Sequence, residues 1–256
     1  MGKLLGHQIK NHFRYNWFIP ILPILLFLSG LALNLVNKNW APTLVGLGFM
    51  ALIFGYFAAA ITVMVGDYNM FFGDSALFYE STPISPAAKT FSRFLYYFIM
   101  FLFYSIFVMG ILSIGLVAEP SSVNADIDSF NLSSIFEIID KIGVKNILIS
   151  LAWLLLFLTN NIAKIIFSIS LGGGKRLRRF GLGGPVLAYI ITGLVEGIIL
   201  YLLNMTDLFT NMELLMNDGK VFMNVTGGAF LMAIGIETVF FLCSVYLIHK
   251  NRISVN

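Results

Sequence analysis

Residues 43–65 read TLVGLGFMALIFGYFAAAITVMV, with no charged side chain among them. At 1.5 Å per residue, a helix of this length covers roughly 35 Å, enough to cross a ~30 Å hydrocarbon core. The apolar residues are continuous and do not alternate, so the stretch does not read as a barrel strand, whose faces meet lipid and water in turn. Five further stretches carry the same signature, at about 17–36, 94–117, 147–170, 184–203 and 228–248. The expected fold is therefore all-α, a polytopic membrane protein with six transmembrane helices forming one transmembrane domain over residues 1–256. Composition agrees: 58% of the 256 residues are hydrophobic and 11% charged, against about 25% charged in a soluble domain.

Basic residues orient the spans, because Lys and Arg collect on the cytoplasmic side. Six alternating spans place Lys3, Lys10, Arg14, Lys89, Arg93, Lys164, Lys175, Arg176, Arg178, Arg179, Lys250 and Arg252 on one side, and Lys38, Lys141, Lys145 and Lys220 on the other. Both termini are thereby expected in the cytoplasm of a cell with a plasma membrane of bacterial type. The apolar run at 17–36 is longer than a signal-peptide core and reads as a retained anchor. Ahead of it, residues 2–16 form an amphipathic helix, with Lys3, His7, Lys10 and Arg14 on a polar stripe and Leu5, Ile9, Phe13 and Trp17 on another face. Such a helix rests in the headgroup layer with its cations on lipid phosphates.

Between the second and third spans, residues 66–90 read GDYNMFFGDSALFYESTPISPAAKT. Asp74 can cap a short helix over 75–81, and Pro83 ends it because the residue before a proline avoids helical geometry. Ser85 and Pro86 then restart a helix as cap and first position. Phe71, Phe72, Leu77, Phe78 and Tyr79 give this cytoplasmic segment an apolar density that marks either a docking surface or a helix sunk among headgroups.

This segment, a basic interfacial N-terminal helix and a six-span chain of this size together resemble the permease subunits of ABC-2-type ATP-driven transporters. The closest look is to small Gram-positive peptide exporters, the bacteriocin-immunity and phenol-soluble-modulin exporter permeases. The resemblance implies a single permease domain whose coupling helix sits in a cleft of a cytoplasmic ABC ATPase. Gly73, Asp74, Leu77, Phe78, Glu80 and Pro83 would make that contact. It implies as partners two ATPase subunits and a second permease chain (identical or related) besides membrane lipids, with ATP and Mg on the ATPase and no cofactor on this chain. The function implied is half of an export path for an amphipathic peptide or lipid-like substrate.

The loop at 171–184, LGGGKRLRRFGLGG, misses the phosphate-binding spacing G-x-x-x-x-G-K-[ST], because Ile169 stands at the first glycine and Arg176 follows Lys175. It reads as a tight basic turn, and under the resemblance Lys175, Arg176, Arg178 and Arg179 become a second contact with the ATPase. In the outer loops, Ser134-x-x-Glu137 has capping-box spacing before a short apolar helix. Residues 204–226 read equally as a surface helix or as a segment dipping into the outer leaflet.

Inside the spans, Glu196 and Glu237 fall near mid-bilayer, where an unpaired charge costs several kcal/mol. They line a pathway for a cationic group, or serve as neutral, hydrogen-bonded packing carboxyls. Asn160 and Asn161 are placed to bond across helices, and Lys164 to reach the inner headgroups. Cys243, the one cysteine, excludes a disulfide framework and reads as a small buried apolar group. The three histidines, His7, His12 and His249, sit at span ends, so no intramembrane pair is available for haem or metal. Without a nucleophile elbow or a soluble nucleotide domain, the chain is not expected to be an enzyme. The alternatives to an exporter are a non-transporting scaffold or sensor, and an ion-coupled transporter that uses Glu196 and Glu237.

Overall fold

Every long element is a helix, as the continuous apolar runs require. The computed structural model describes residues 2–34, 41–73, 75–81, 83–118, 144–204, 212–217, 220–225 and 228–253. In chain order the helices are α1 (Gly2–Asn16), α2 (Phe18–Asn34), α3 (Ala41–Phe71), α4 (Ala76–Ser81), α5 (Pro86–Ala118), α6 (Val144–Gly172), α7 (Gly183–Asn204) and α8 (Gly228–Ile253). A 3-10 turn, Arg178–Phe180, lies between α6 and α7.

Among the described residues, four helical stretches are long and apolar enough to cross a membrane, Thr43–Phe71, Pro86–Ser113, Ser150–Gly172 and Met232–Asn251, or five spans if α1 and the start of α2 count as one bent pair. Six spans were expected. The helix at the fifth expected position is present, but its apolar part, Gly183–Ile199, is shorter than the others. The first is the apolar half of a helix pair bent by 48° at Trp17. That bend precedes Pro20 and Pro23. Pro20 falls in the first turn of α2, where its missing N–H costs nothing, and Pro23 lies inside the helix.

The spans are dressed for lipid. Phe54, Ile61, Met109, Leu154, Leu194 and Met232 are among the apolar side chains that stand at least 60% exposed. Exposed apolar surface on that scale does not survive in water. Cys243 is likewise exposed on α8, where a buried place had been expected.

The chain divides into two compact units, Met1–Ala125 and Asp126–Asn256. In the first, α2 and α3 form an antiparallel hairpin, α5 packs on α3, and α1 lies against α5 and α3. The amphipathic α1 keeps Lys3, His7, Lys10 and Arg14 exposed as its pattern predicts, and buries Leu4, Gln8 and His12, one residue each turn. In the second, α6 is the central helix, with α7 and α8 each packed on it.

The link from α6 to α7 is tight because it is made of glycine. A Cβ on Gly172 would meet the nitrogen of Pro185 at 2.2 Å, and one on Gly184 would meet the carbonyl oxygen of Gly172 at 2.6 Å. Gly181 turns the chain with φ 55° and ψ −130°, a positive-φ backbone that glycine adopts without the steric cost a Cβ would bring. Gly172→Ala is therefore expected to push the α6–α7 hairpin apart and destabilise the chain by about 1–3 kcal/mol, the usual cost of overpacking. Thermal unfolding of the purified protein would show it, and an unchanged midpoint would mean that the helices do not approach this closely.

The 204–226 region differs from both expectations. It contains an antiparallel two-stranded hairpin, β1 (Met212–Asn217) and β2 (Lys220–Val225), in the register Met212↔Val225 to Asn217↔Lys220. The expected capping box at Ser134 and the helix after it lie outside the described residues.

Candidate functional site

Two constellations carry chemistry, one in each unit. The first begins where α3 and α5 outrun the bilayer. With 31 and 33 residues these helices are about 45–50 Å long, well beyond a ~30 Å core. Asp67 on α3 and Arg93 on α5 meet there, both fully buried. The Arg93 Nε donates to Asp67 Oδ1 at 2.9 Å and Nη2 to Oδ2, giving the two-pronged geometry that suits a guanidinium and a carboxylate. The Tyr97 hydroxyl also donates to Asp67, at 3.3 Å, and the guanidinium lies 4.9 Å from the Phe71 ring centroid and 5.6 Å from that of Phe72. Charge, hydrogen bonds and aromatic faces thus compensate two groups that would be very costly alone.

This knot fixes the short segment next to it. α3 ends as Phe72 and Gly73 both turn their N–H groups onto the Tyr68 carbonyl oxygen, at 2.7 and 3.0 Å. Any Cβ on Gly73 would meet Asn69 Cα at 2.9 Å, so the glycine serves this chain reversal. Six residues of helix follow as α4, one residue shorter at the start than the sequence predicts. Tyr79 anchors it: it is buried, with its ring 5.8 Å from Phe71 and 5.9 Å from His7. Leu77 and Phe78 point away, 82% and 68% exposed. Pro83 is exposed in the extended link, and Ser85 caps α5 as expected, its Oγ accepting from the Ala88 N–H at 3.3 Å. Asp74 and the side chain of Glu80 lie outside the described residues.

α1 closes the other side of this region. Its His12 ring has tyrosine hydroxyls at both nitrogens, Tyr104 at 3.0 Å from Nε2 and Tyr96 at 3.3 Å from Nδ1, and Ser92 donates to Gln8 at 2.9 Å. A cavity of about 460 Å³ opens between these elements, lined by residues that include His7, Asn11, Asn69, Ser75 and Tyr79. Burial lowers the His12 pKa from 6.5 to about 4, so the ring is neutral at pH 7. An exposed histidine takes a proton near 6.5. Docking of α1 should therefore be at full strength above about pH 6.5 and weaken as pH falls toward 4, because only the undocked state binds the proton easily. Hydrogen exchange of α1 amides, corrected for intrinsic rates, should show protection falling between pH 7 and 4.5 in the wild type and not in His12→Asn. A flat profile in the wild type would refute this.

The second constellation joins four of the five polar residues that the sequence singled out in the spans, Asn160, Lys164, Glu196 and Glu237. Lys164 on α6 pairs with Glu196 on α7, and its Nζ lies 5.1 Å from the Tyr189 ring centroid. One turn earlier, Asn160 donates to Glu237 on α8 at 3.2 Å and accepts from Thr238 at 3.0 Å. The central helix thus holds one carboxylate on each flank. Lys164 is bound to Glu196 and buried, and does not extend to headgroups as expected. Asn161 bonds the Phe157 carbonyl of its own helix at 2.8 Å, so only Asn160 bridges helices. Among the described residues, no group of three or more His, Cys, Asp and Glu is placed to hold a metal.

Lys175, Arg176, Arg178 and Arg179 are exposed on the α6–α7 turn, with the Arg179 guanidinium 4.9 Å from the Phe180 ring centroid. The Asp67–Arg93–Tyr97 knot was not anticipated as a unit. Its signal was register: Asp67 follows the second expected span by two residues, and Arg93 immediately precedes the third. In an antiparallel pair those positions lie at one depth. Comparison with family models, with curated proteins and with solved structures gives no match. Fold and surface define a helical membrane protein, built of several long apolar helices.

Proposed function

We propose that this chain is the membrane permease subunit of an ABC-2-type exporter. In this reading α2 and α7 join the four longer spans to make six, both termini lie in the cytoplasm, and α1 rests in the inner headgroup layer. α4 is the coupling helix. The observation that carries the reading is the presentation of Leu77 and Phe78 on a six-residue helix whose other side is locked by Tyr79. A lever must be exposed at one face and rigidly joined to the spans at the other, and the buried Asp67–Arg93 pair joins the two helices that flank it. The basic α6–α7 turn supplies a second contact to the same ATPase. A second permease chain completes the path for an amphipathic peptide or lipid-like substrate, and ATP with Mg binds the separate ATPase.

The test is purification of the tagged chain from its native membrane. An ATPase subunit with phosphate-binding motifs should co-purify, and reconstituted vesicles should move substrate only with ATP. Transport without ATP would turn the reading to an ion-coupled carrier, which the part-buried Lys164, Glu196 and Glu237 cluster would serve.

A further inference from the structure

The cavity between α1, α3 and α4 has polar walls of two kinds. Some of its side chains are satisfied within the protein: His12 and Tyr96 bond one another, Thr62 donates to the Ala59 carbonyl oxygen, and Asn16 donates to that of His12. The others are His7 and Asn11 on α1, Asn69 on α3, Ser75 just ahead of α4 and Tyr79 within it. None of these five side chains makes a hydrogen bond among the described residues. Tyr79 is only 7% exposed, with its ring held against Phe71 and His7. A tyrosine so buried normally has a partner for its hydroxyl, and this one has none among the described residues.

The chemistry of these groups selects their ligand. Two amides, two hydroxyls and an imidazole can all donate, which suits an anion with several acceptor oxygens, and the amide carbonyls can receive hydroxyls in return. The described lining holds no Asp or Glu to draw in a cation. Lys3, Lys10 and Arg14 stand exposed on the same helix as His7 and give this side of the unit a positive potential. Depth points the same way. Gly66, Asn69 and Met70 line the cavity from the last turns of α3, a helix of 31 residues that outruns a ~30 Å hydrocarbon core. That is the level of lipid phosphates. The volume of about 460 Å³ falls within the ~300–1,000 Å³ of small-molecule sites.

We propose that this cavity binds the glycerophosphate headgroup of an anionic lipid, with Asn11, Asn69, Ser75 and Tyr79 donating to its oxygens. Soluble glycerol phosphate carries the same group without acyl chains. A bound headgroup ties α1, α3 and α4 together, so lipid composition sets how firmly α4 is seated. The site goes beyond the exporter reading and does not depend on it.

The test titrates the full chain in uncharged detergent with dihexanoyl phosphatidylglycerol, dihexanoyl phosphatidylcholine and glycerol phosphate, reading the thermal midpoint and, by native mass spectrometry, the lipid retained. Phosphatidylglycerol should raise the midpoint saturably, with one molecule kept per chain, and phosphatidylcholine should need at least tenfold more. Tyr79→Phe keeps the ring that anchors α4 and removes only the unpartnered hydroxyl. It should leave the lipid-free midpoint unchanged and weaken phosphatidylglycerol binding at least tenfold. Gly66→Leu fills the cavity, since a Cβ there meets nothing nearer than the Tyr96 hydroxyl at 4.0 Å. It should abolish the lipid response without lowering the lipid-free midpoint, because leucine is favoured over glycine inside a helix. Equal responses of the wild type to the two lipids would overturn the proposal. So would phosphatidylglycerol binding that both variants keep at the wild-type level, which would place the lipid on the basic stripe of α1 outside the cavity. Saturation by glycerol phosphate at the same concentration as the lipid would overturn the lipid assignment in favour of the soluble source. No ATPase enters this assay, so its failure leaves the exporter reading untouched.

Discussion

Arg93→Ala is expected to cost the first unit about 3–5 kcal/mol, the largest stability loss of any single substitution considered. The substitution leaves Asp67 buried beside Phe71, Phe72 and Tyr97 with no cation to meet it, and breaking a buried pair from one side carries a penalty of that size. For a chain of this length the thermal midpoint should fall on the order of 10 °C. Asp67→Asn takes the carboxylate from the guanidinium instead and should also lower the thermal midpoint. Arg93→Lys separates charge from geometry. It keeps the cation but loses the two-pronged contact and the planar stacking on Phe71, and should fall between wild type and Arg93→Ala. The double variant Asp67→Leu, Arg93→Leu removes both charges of this pair and should regain part of the loss. If Arg93→Ala unfolds at the wild-type midpoint, the pair is not what joins α3 to α5, and the rigid base under α4 goes with it.

That base also shows what was legible in the sequence and what was not. Continuous apolar runs, the amphipathic α1 and the Ser85–Pro86 helix start depend on neighbours a few residues apart, and all three are present in the structure. The burial of Gln8 and His12 was not readable. Both are polar, and tyrosine and serine partners 84 to 92 residues away receive the His12 ring and the Gln8 carbonyl, while Gln8 Nε2 stays buried without a partner among the described residues. The second unit's cluster was half legible. Asn160, Lys164, Glu196 and Glu237 stood out because each is costly in lipid, but pairing Lys164 with Glu196 needed the packing of α7 on α6. The β1–β2 hairpin has a local signal in the sequence, the Asp218-Gly219 dipeptide between two strands of six residues, which is a favoured hairpin connection.

Under the exporter reading, replacing Leu77 and Phe78 together by Asp is expected to weaken binding of the proposed ATPase partner at least a hundredfold while largely sparing the fold. Each of these side chains contributes roughly 1.5–3 kcal/mol if it moves from water into an apolar cleft, and 1.4 kcal/mol is tenfold in affinity. Leu77, 82% exposed, carries little of the chain's own packing, while Phe78, 68% exposed, meets the Tyr79 ring edge-on at 5.3 Å. Tyr79→Ala makes the contrast. It removes the buried anchor of α4, so it should lower the thermal midpoint as well as ATPase binding. Charge reversal on the α6–α7 turn, Arg178→Glu with Arg179→Glu, should act more weakly, since exposed ion pairs contribute only about 0–1 kcal/mol each. The competing account sinks α4 among headgroups with no protein partner. It predicts that the Leu77, Phe78 double variant leaves the ATPase bound and instead raises the solvent accessibility of α4, measured by labelling a cysteine placed at Ala76. An ATPase that stays bound to the double variant as tightly as to the wild type would give that account the helix. A lost ATPase with an unchanged thermal midpoint would mean that the membrane unit is driven through two apolar side chains on a six-residue lever.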